Sequence, residues 1–312
     1  MSAASTLVYY DRERGSFETE KVYARGFLRW LYNSRSGGLC ARLLVATPLP
    51  SRVWGALHRT RWSRRRIPAF ALRMGIDLSE SQKSVAEFDS FNEFFTRSLR
   101  AGSRRACAEP DVLVAPVDGK VLAYPRVEAQ ATFRIKRAAF NLEGLLRDPA
   151  LAATFAGGSM LVCRLGLSDW HHFHFPDSGT PGPAVAIPGR YHAGGPYAER
   201  ALVPFFAENQ RMLVRFDSDH FGAMAMVELG ALTVGSIRQR FQPGVRVRKG
   251  DPKGFFELGG STVVLLFREG TIQLDQELCA LTAREIECYV RMGQPLGRSV
   301  ARAKDQAPAE DP

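Results

Sequence analysis

From residue 101 onward, the sequence is a succession of short apolar runs that are ended by glycine or proline. Short apolar runs between turn residues are typical of β-strands. The pattern therefore predicts an α+β protein with a mainly antiparallel β body, shaped as a sandwich or a barrel. The runs that we expect to form strands are VLVAPVDGKVLAY, SMLVCRLGL, HHFHF, RMLVRF, AMAMVELGALTVGSI and STVVLLF.

Two segments of this half of the chain are predicted to be helical instead. Residues 84–99 carry phenylalanines at helical spacing, so we expect a helix that packs in the core, with Ser90 or Asp89 as a cap. Residues 141–155 are predicted to form a second helix that is capped by Asn141. The phenylalanines of the first segment are Phe88, Phe91, Phe94 and Phe95.

The N-terminal part is strongly basic. Between Lys21 and Ile76 there are twelve Lys or Arg and no Asp or Glu, whereas the net charge of the whole chain is +10. The segment also holds three of the four tryptophans. Two or three short helices with apolar groups on one side and Arg on the other are typical of helices that lie in a bilayer surface.

Two other interpretations of the basic segment are open, namely nucleic-acid binding and a solvated basic face. We favour an anionic membrane surface, because solvated faces usually mix both signs of charge and because Trp prefers the membrane interface. No nucleic-acid partner is predicted.

Composition and apolar runs limit the organisation of the chain. No apolar run is long enough to span a bilayer and no cleavable leader is recognised, so we expect a peripheral, monotopic protein at the cytoplasmic face of the membrane. The five cysteines are scattered and form no CxxC pair, which predicts neither disulfides nor a zinc ribbon. We expect a loose lead-in over residues 1–20 and divide the chain into a basic membrane segment (1–80), a catalytic domain (81–297) and a disordered polar tail (298–312). The sequence leaves a homodimer open.

Three clusters of residues carry potential chemistry. The first is Pro116-Val117-Asp118-Gly119, which taken alone is more typical of a turn than of an active site. The second is 169–176, where three of the six histidines occupy four positions, a density that favours an active site. On a strand, His172 and His174 point to one face, and His171 and Phe173 to the other. The third is 259–267, where Gly259 and Gly260 precede Ser261 at the start of an apolar run; taken alone it is typical of a β-bulge.

A metal site is one alternative for the histidine cluster. His172, His174 and Asp118 would then serve a metal-dependent hydrolase, with His192 and His220 as the remaining candidates. Their spacing matches no recognised metal-binding motif, and the sequence lacks the glycine-rich or serine-containing motifs of P-loop, Rossmann and serine-hydrolase sites. We predict no metal.

Taken together, the three clusters resemble the phosphatidylserine decarboxylase family, in its pyruvoyl-dependent G-G-S-T branch. Their order and separation match, and the resemblance covers about residues 84 to 297. Trp170 and His172 stand where the family often has Tyr and Arg. Further matching segments are FDSFNEFFTR (88–97), Ile135-Lys136 followed by NLEGLL, and ENQR (208–211).

The resemblance implies a self-cutting proenzyme. The hydroxyl of Ser261 would attack the carbonyl of Gly260, with His174 as the base and Asp118 as the residue that orients it. Cleavage would leave chains 1–260 and 261–312, held together because the cut falls between strands of one sheet, and Ser261 would become a pyruvoyl group.

The resemblance also implies the reaction of the mature enzyme. The pyruvoyl carbonyl would form a Schiff base with phosphatidylserine, and loss of CO2 would give phosphatidylethanolamine, with His171 as the helper in decarboxylation or reprotonation. His172 stays unassigned. A pyruvoyl-dependent decarboxylase of a soluble amino acid is the nearest alternative, but it would have little use for the basic segment.

Overall fold

The computed structural model describes residues 8–21, 26–27, 30–31, 34, 36–40, 49–128, 133–135, 138–190, 205–230, 237–258 and 261–300. The fold of these residues is α+β and rich in strands, as predicted. The strands are β1 (Val8–Asp11), β2 (Ser16–Thr19), β3 (Val112–Val114), β4 (Gly119–Tyr124), β5 (Phe133–Ile135), β6 (Ala138–Phe140), β7 (Ser159–Leu165), β8 (His172–His174), β9 (Gly179–Ile187), β10 (Arg211–Ser218), β11 (Gly222–Gly230), β12 (Ile237–Gln239), β13 (Pro252–Phe256), β14 (Ser261–Phe267), β15 (Ile272–Leu274), β16 (Glu287–Val290) and β17 (Pro295–Ser299).

The helices are short. The α-helices are α1 (Leu49–His58), α2 (Ile67–Met74), α3 (Phe91–Phe95), α4 (Leu142–Leu146), α5 (Pro149–Thr154), α6 (Phe205–Glu208) and α7 (Gln276–Ala283). Two 3-10 helices span Arg61–Arg66 and Val85–Glu87, and residues 36–40 are also helical. The basic segment therefore contains several short helices, as predicted. Among the residues that the structure describes, no helix combines the length and the apolar character that a membrane span requires.

One nine-stranded sheet forms the centre of the described fold, with the order β2-β1-β16-β4-β7-β14-β11-β10-β9. Its neighbouring strands are antiparallel, except that β1 and β16 are parallel. Strands β12-β13-β8 and β15-β17-β3 form two small sheets, and β5 pairs with β6. In the described part of the chain, β2 and β9 remain as edges of the main sheet, so the strands form stacked layers rather than a closed barrel.

Both faces of the main sheet are buried. On β14, Val263, Leu265 and Phe267 face one core, and Val264 and Leu266 face the other. Residues of the two small sheets and of α7 complete the first core, and residues of α4 and α5 complete the second. A strand that is covered on both faces needs apolar side chains at every position, which explains the continuous apolar run in the sequence.

The two predicted helices form in shorter pieces. Within 84–99, the α-helix spans only α3, where the Ser90 hydroxyl accepts the Glu93 amide as an N-cap, and all four phenylalanines of the stripe are buried. Within 141–155, Asn141 caps α4 as predicted. The helix then breaks at Arg147, whose φ of 50° is left-handed, and α5 begins at Pro149, because proline is favoured at the first turn of a helix and disfavoured inside one.

The expected lead-in over residues 1–20 is wrong for its described part. Strands β1 and β2 form a hairpin, and β1 pairs with β16, so this hairpin is the edge of the main sheet. Glu20, directly after β2, binds Arg164 of β7 through two hydrogen bonds of 2.9 Å. The strands contain Val8, Tyr9, Tyr10 and Phe17, residue types that favour strands. The hairpin was missed because each strand is only four residues long and the residues between the strands are mostly charged.

The predicted boundaries at residues 80 and 297 do not coincide with gaps in packing. The core that contains the phenylalanine stripe also contains Ile67, Phe70 and Met74 of α2, from the basic segment. At the other end, β17 extends to Ser299, two residues into the predicted tail, while residues 301–312 lie outside the described residues.

The C-terminal strands are interleaved with earlier ones. Strand β14 lies between β7 and β11, β16 lies between β1 and β4, and β17 lies between β15 and β3. The expectation that the strands on either side of the predicted cut share one sheet is wrong, because β13 belongs to a small sheet and β14 to the main one. The predicted cleavage bond therefore lies between strands of two different sheets.

Candidate active site

The first and third sequence clusters enter neighbouring parts of the main sheet. Ser261 pairs with Leu165 of β7, and on the other side of β7, Lys120 of β4 pairs with Arg164. Gly119 therefore begins β4 two strands away from Ser261, about 10 Å across the sheet. A Cβ atom at Gly119 would lie 2.7 Å from the carbonyl oxygen of Arg164, so glycine is required here for the close approach of two strands.

The histidine cluster is hydrogen-bonded to the segment that precedes β4 and to the end of β13. The amide of His174 donates to the carbonyl of Pro116 at 2.9 Å, and the amide of Phe256 donates to the carbonyl of His171 at 2.8 Å. Strand β8 pairs with β13, which leads to Ser261. These backbone contacts link the histidine cluster to the first cluster and to the strand that precedes Ser261 in the chain.

Ser261 is buried, with 2% of its surface exposed, and its hydroxyl has no hydrogen-bond partner among the described residues. A buried hydroxyl without a partner is unfavourable, and such groups are rare outside functional sites. Gly259 and Gly260 lie outside the described residues, so the structure describes the predicted nucleophile and not the bond that it would attack.

His174 is buried beside Trp170, with 4% of its surface exposed and 5.0 Å between the two ring centroids. Burial and, to a smaller extent, the charge of His172 together lower the pKa of His174 to about 4. Its Nδ1 atom is buried without a hydrogen-bond partner in the described part of the chain. The ring is therefore neutral at pH 7 and can accept a proton.

Asp118 is held by groups that the sequence analysis did not identify. Its carboxylate accepts hydrogen bonds from Arg104, at 2.8 Å from Nε and 2.6 Å from Nη2, and from the amide of Met292 at 2.8 Å. The expected hydrogen bond to His174 is not among those of the described residues. A guanidinium offers two parallel donors to a carboxylate, which accounts for the pairing of Arg104 with Asp118. Arg104 lies in an irregular stretch, and no sequence signal distinguished it from its neighbours.

His171 is fully buried against Phe95 of α3, with 3.9 Å between the ring centroids. Its Nδ1 atom lies 2.8 Å from the carbonyl oxygen of Asp169. A carbonyl oxygen only accepts hydrogen bonds, so Nδ1 carries the proton and Nε2 carries the lone pair of the neutral ring. When the ring of His171 is neutral, Nε2 is therefore the ring nitrogen that has the basic lone pair.

His172 has a packing role in this structure. Its ring stacks on Trp170 and Phe255, with centroid distances of 4.9 and 5.5 Å, and its Nε2 atom lies 3.0 Å from the carbonyl of Thr96. Trp170 contacts both His172 and His174, which confirms that the two histidines share a face. The described residues contain no group of three or more His, Cys, Asp or Glu that could hold a metal ion, and His192 lies outside them.

A buried ion pair that the sequence did not reveal supports the histidine strand. Lys253 of β13 donates to Glu228 of β11 at 2.7 Å, and both residues are fully buried. Gln239 contacts both of them, at 2.7 and 3.0 Å, and the Lys253 ammonium lies 5.3 Å from the ring centroid of Phe173. The pair therefore fixes β13, and with it β8, against the main sheet.

Glu228→Gln is expected to destabilise the fold strongly, since it leaves the Lys253 ammonium buried without a counter-ion. Breaking a buried pair in this way costs about 3–5 kcal/mol of unfolding free energy. Urea denaturation in the Ser261→Ala background measures the loss on a single chain. The exposed pair between Asp219 and Arg246 is the matched control, and Asp219→Asn should cost less than about 1 kcal/mol. Equal losses in the two variants would contradict the supporting role of the buried pair.

Comparisons with known proteins agree with the resemblance of the motifs. A sequence model described as phosphatidylserine decarboxylase matches residues 91–298. A protein of Chlamydia felis named phosphatidylserine decarboxylase proenzyme is 42% identical over 294 residues, which cover 94% of this chain and 98% of that protein. Proteins of the same name from Desulfitobacterium hafniense and Clostridium beijerinckii are 37% and 35% identical over 291 residues, which cover 93% of this chain and 98% of each of those proteins.

Proposed function

The chain belongs to the phosphatidylserine decarboxylase family, and we propose that it is a proenzyme that cuts itself before Ser261 and then converts phosphatidylserine into phosphatidylethanolamine and CO2. The observation that carries the proposal is the buried Ser261 hydroxyl, which has no hydrogen-bond partner among the described residues. Structural serines satisfy their hydroxyl groups, so this one is available for chemistry.

The cutting step uses groups of the chain alone. The hydroxyl oxygen of Ser261 adds to the carbonyl carbon of Gly260 while His174 takes the hydroxyl proton. The C–N bond breaks, the proton passes to the nitrogen of Ser261, and an ester remains. A base then takes the α-proton of Ser261, the electron pair of that C–H bond forms the Cα=Cβ double bond, and the Gly260 carboxylate leaves, which cuts the chain. Hydrolysis of the remaining dehydroalanine releases ammonia and leaves a pyruvoyl group.

Asp118 is proposed to assist His174 in this step. The neutral ring of His174 needs Nδ1 to hold a proton so that Nε2 can act as the base, as in other His–carboxylate pairs. Asp118 would reach that Nδ1 atom by exchanging one of its hydrogen bonds with Arg104. The imidazolium that forms would then be stabilised by the carboxylate.

The surroundings of residue 261 suit a pyruvoyl group. Conversion of Ser261 breaks no hydrogen bond of its hydroxyl within the described residues, and β14 stays paired on both sides from Thr262 onward. A pyruvoyl carbonyl supplies an electron sink for the electron pair that CO2 leaves behind. The Nε2 atom of His171 would take a proton from the ammonium group of the substrate and return it to the carbon that has lost CO2.

The two product chains, residues 1–260 and 261–312, are proposed to remain together as one enzyme. Strand β14 pairs with β7 and β11 of the longer chain, and β16 pairs with β1 and β4. Their separation would expose an entire apolar strand and remove its hydrogen bonds on both sides, so cleavage should not dissociate the fold.

Two measurements test the proposal as a whole. The mass of the purified protein under denaturing conditions should show two fragments divided at Gly260, and the purified protein should release CO2 from phosphatidylserine in mixed micelles. A soluble amino-acid decarboxylase would instead act on free amino acids. A single intact chain that nevertheless decarboxylates phosphatidylserine would contradict self-cutting.

A lipid substrate requires access to a membrane, and the basic segment has a suitable surface. Eight of its large apolar side chains are exposed among the described residues, and α1 and the 3-10 helix that follows it supply four. The neighbouring Arg64, Arg65 and Arg66 are exposed as well. We propose that this surface binds an anionic bilayer, peripherally and at its cytoplasmic face. The eight side chains are Phe27, Trp30, Leu39, Val53, Trp54, Leu57, Trp62 and Leu72.

Replacing Trp54 and Trp62 together by glutamate is expected to weaken binding to anionic vesicles about tenfold or more, since two interfacial rings are lost and two charges are repelled. Vesicle co-sedimentation measures this, with zwitterionic vesicles for comparison. Val185→Glu is the matched control, because Val185 is exposed on β9, outside the basic segment. Unchanged sedimentation of the double variant would remove this surface from the proposal.

A further inference from the structure

Arg97 is an arginine that the proposed mechanism does not use. It follows α3 and exposes only 6% of its surface. Its Nε atom has no hydrogen-bond partner among the described residues, and no described carboxylate lies within ion-pair distance of its guanidinium. The charged group lies over the ring of Phe94, whose centroid is 5.3 Å from the Arg97 Cζ atom.

The backbone around Arg97 is fixed against the histidine cluster. The ring of Phe95 contacts His171, and the carbonyl of Thr96 lies 3.0 Å from Nε2 of His172. The carbonyl of Arg97 itself accepts a 2.8 Å hydrogen bond from the indole of Trp170. Arg97 thus belongs to the wall of the candidate active site.

The carboxylates near Arg97 have other cationic partners. Asp118 binds Arg104, and Asp169 lies 3.2 Å from Lys120. Burial lowers the pKa of Arg97, and the charges of these two carboxylates offset only part of that effect. A buried guanidinium without a counter-ion is unfavourable. The site therefore holds a positive charge that is available to an anion from outside the chain.

We propose that Arg97 binds the phosphodiester group of the lipid substrate, an inference that rests on the proposed function. Phosphatidylserine carries two anionic groups, the phosphodiester and the carboxylate that leaves as CO2. A cation on the carboxylate would stabilise the charge that the reaction must remove, and would oppose catalysis. The phosphodiester keeps its charge throughout, and a guanidinium matches its oxygens with paired donors.

This assignment has a kinetic consequence. The phosphodiester interacts with Arg97 equally before and during the reaction, so its loss should raise KM and leave kcat nearly unchanged. Self-cutting needs no phosphate, so an Arg97 variant should still mature. Arg97 is therefore a substrate-binding residue that should not affect chain cleavage.

The test compares Arg97→Gln with wild type on phosphatidylserine and on O-hexadecylserine, a serine lipid without phosphate. Arg97→Gln should be cut normally, and its KM for phosphatidylserine should rise about 10- to 100-fold. Its kinetics on O-hexadecylserine should match those of wild type. Arg97→Lys keeps the charge and should fall in between. Arg211→Gln is the matched control, since Arg211 is fully buried on β10 and contacts the carbonyl of Gly144; it should not change the preference between the two lipids.

Three results would overturn the inference. Equal losses on both lipids would assign Arg97 to the carboxylate, an unchanged KM would remove it from substrate binding, and an uncut Arg97→Gln chain would assign it to maturation. Wild-type protein that converts no phosphatidylserine would overturn the proposed function as well, so the two failures are distinguishable.

Discussion

Ser261→Ala is expected to yield one uncut chain of about 34.6 kDa without decarboxylase activity. Alanine has no hydroxyl to attack the preceding carbonyl, and Ser261 is the residue that begins β14 directly after the predicted cleavage bond. Folding should be nearly unaffected, because the Ser261 hydroxyl makes no hydrogen bond within the described residues. Denaturing mass analysis should show two fragments for wild type and one for the variant.

The matched control for this variant is Ser299→Ala. Ser299 is also buried, on β17, but its hydroxyl donates to the carbonyl of His220 at 2.7 Å. This control should lose some stability and still be cut at Gly260. The smaller wild-type fragment should also resist Edman degradation, because a pyruvoyl group has no free amine. Cleavage that survives Ser261→Ala would refute the proposed nucleophile.

His174→Ala is expected to slow chain cleavage by a factor of about 100 to 10,000, the usual contribution of a positioned base. Quantifying the cut fraction over time in freshly synthesised protein measures this rate. His172→Ala is the matched control, because His172 lies on the same face of β8 and makes packing contacts. It should still be cut, and His171→Ala should be cut but turn over slowly. Equal cleavage of wild type and His174→Ala would remove the base from the mechanism.

The pH dependence of cleavage provides a second readout of His174. Burial holds its pKa at about 4, below the ordinary value of 6.5. The base stays neutral as the pH falls from 7, so the cleavage rate should remain nearly level through pH 6 and decline toward pH 4. Between 6.5 and about 4 the unfolded chain binds more protons at this residue than the folded chain, so the stability contribution of a neutral His174 is lost as pH falls through that range. A cleavage rate that halves near pH 6.5 would contradict the buried, neutral base.

Much of the β body was predictable because its signals are local. The run from Ser261 to Phe267 becomes a strand buried on both faces, and Asn141 caps a helix as its residue type suggests. The Ser84–Leu99 segment supplies the expected apolar stripe but only one short α-helix. The hairpin of β1 and β2 was not predicted, because its two strands are only four residues long and mostly charged residues lie between them, although Val8, Tyr9, Tyr10 and Phe17 are residue types that favour strands.

The candidate site was predictable in its chemistry and not in its contacts. Three motifs identified Asp118, His174 and Ser261, and their roles in cleavage remain proposals. Arg104, which binds Asp118, could not be distinguished from the other arginines of the chain. Arg97 ends a segment that resembles the family, but nothing in the sequence indicated that it would be buried without a described acid nearby.

The sequence by itself determined which segments become strands, which histidines share a face, and to which family the chain is related. Each of these depends on residue types at fixed short spacings, where backbone geometry alone sets the relation between side chains. Only the tertiary structure decided which charges meet, as Arg164 meets Glu287, 123 positions away, and Lys253 meets Glu228. Such partners are selected by how the layers pack, since a buried charge takes whichever counter-ion the folded chain brings within reach.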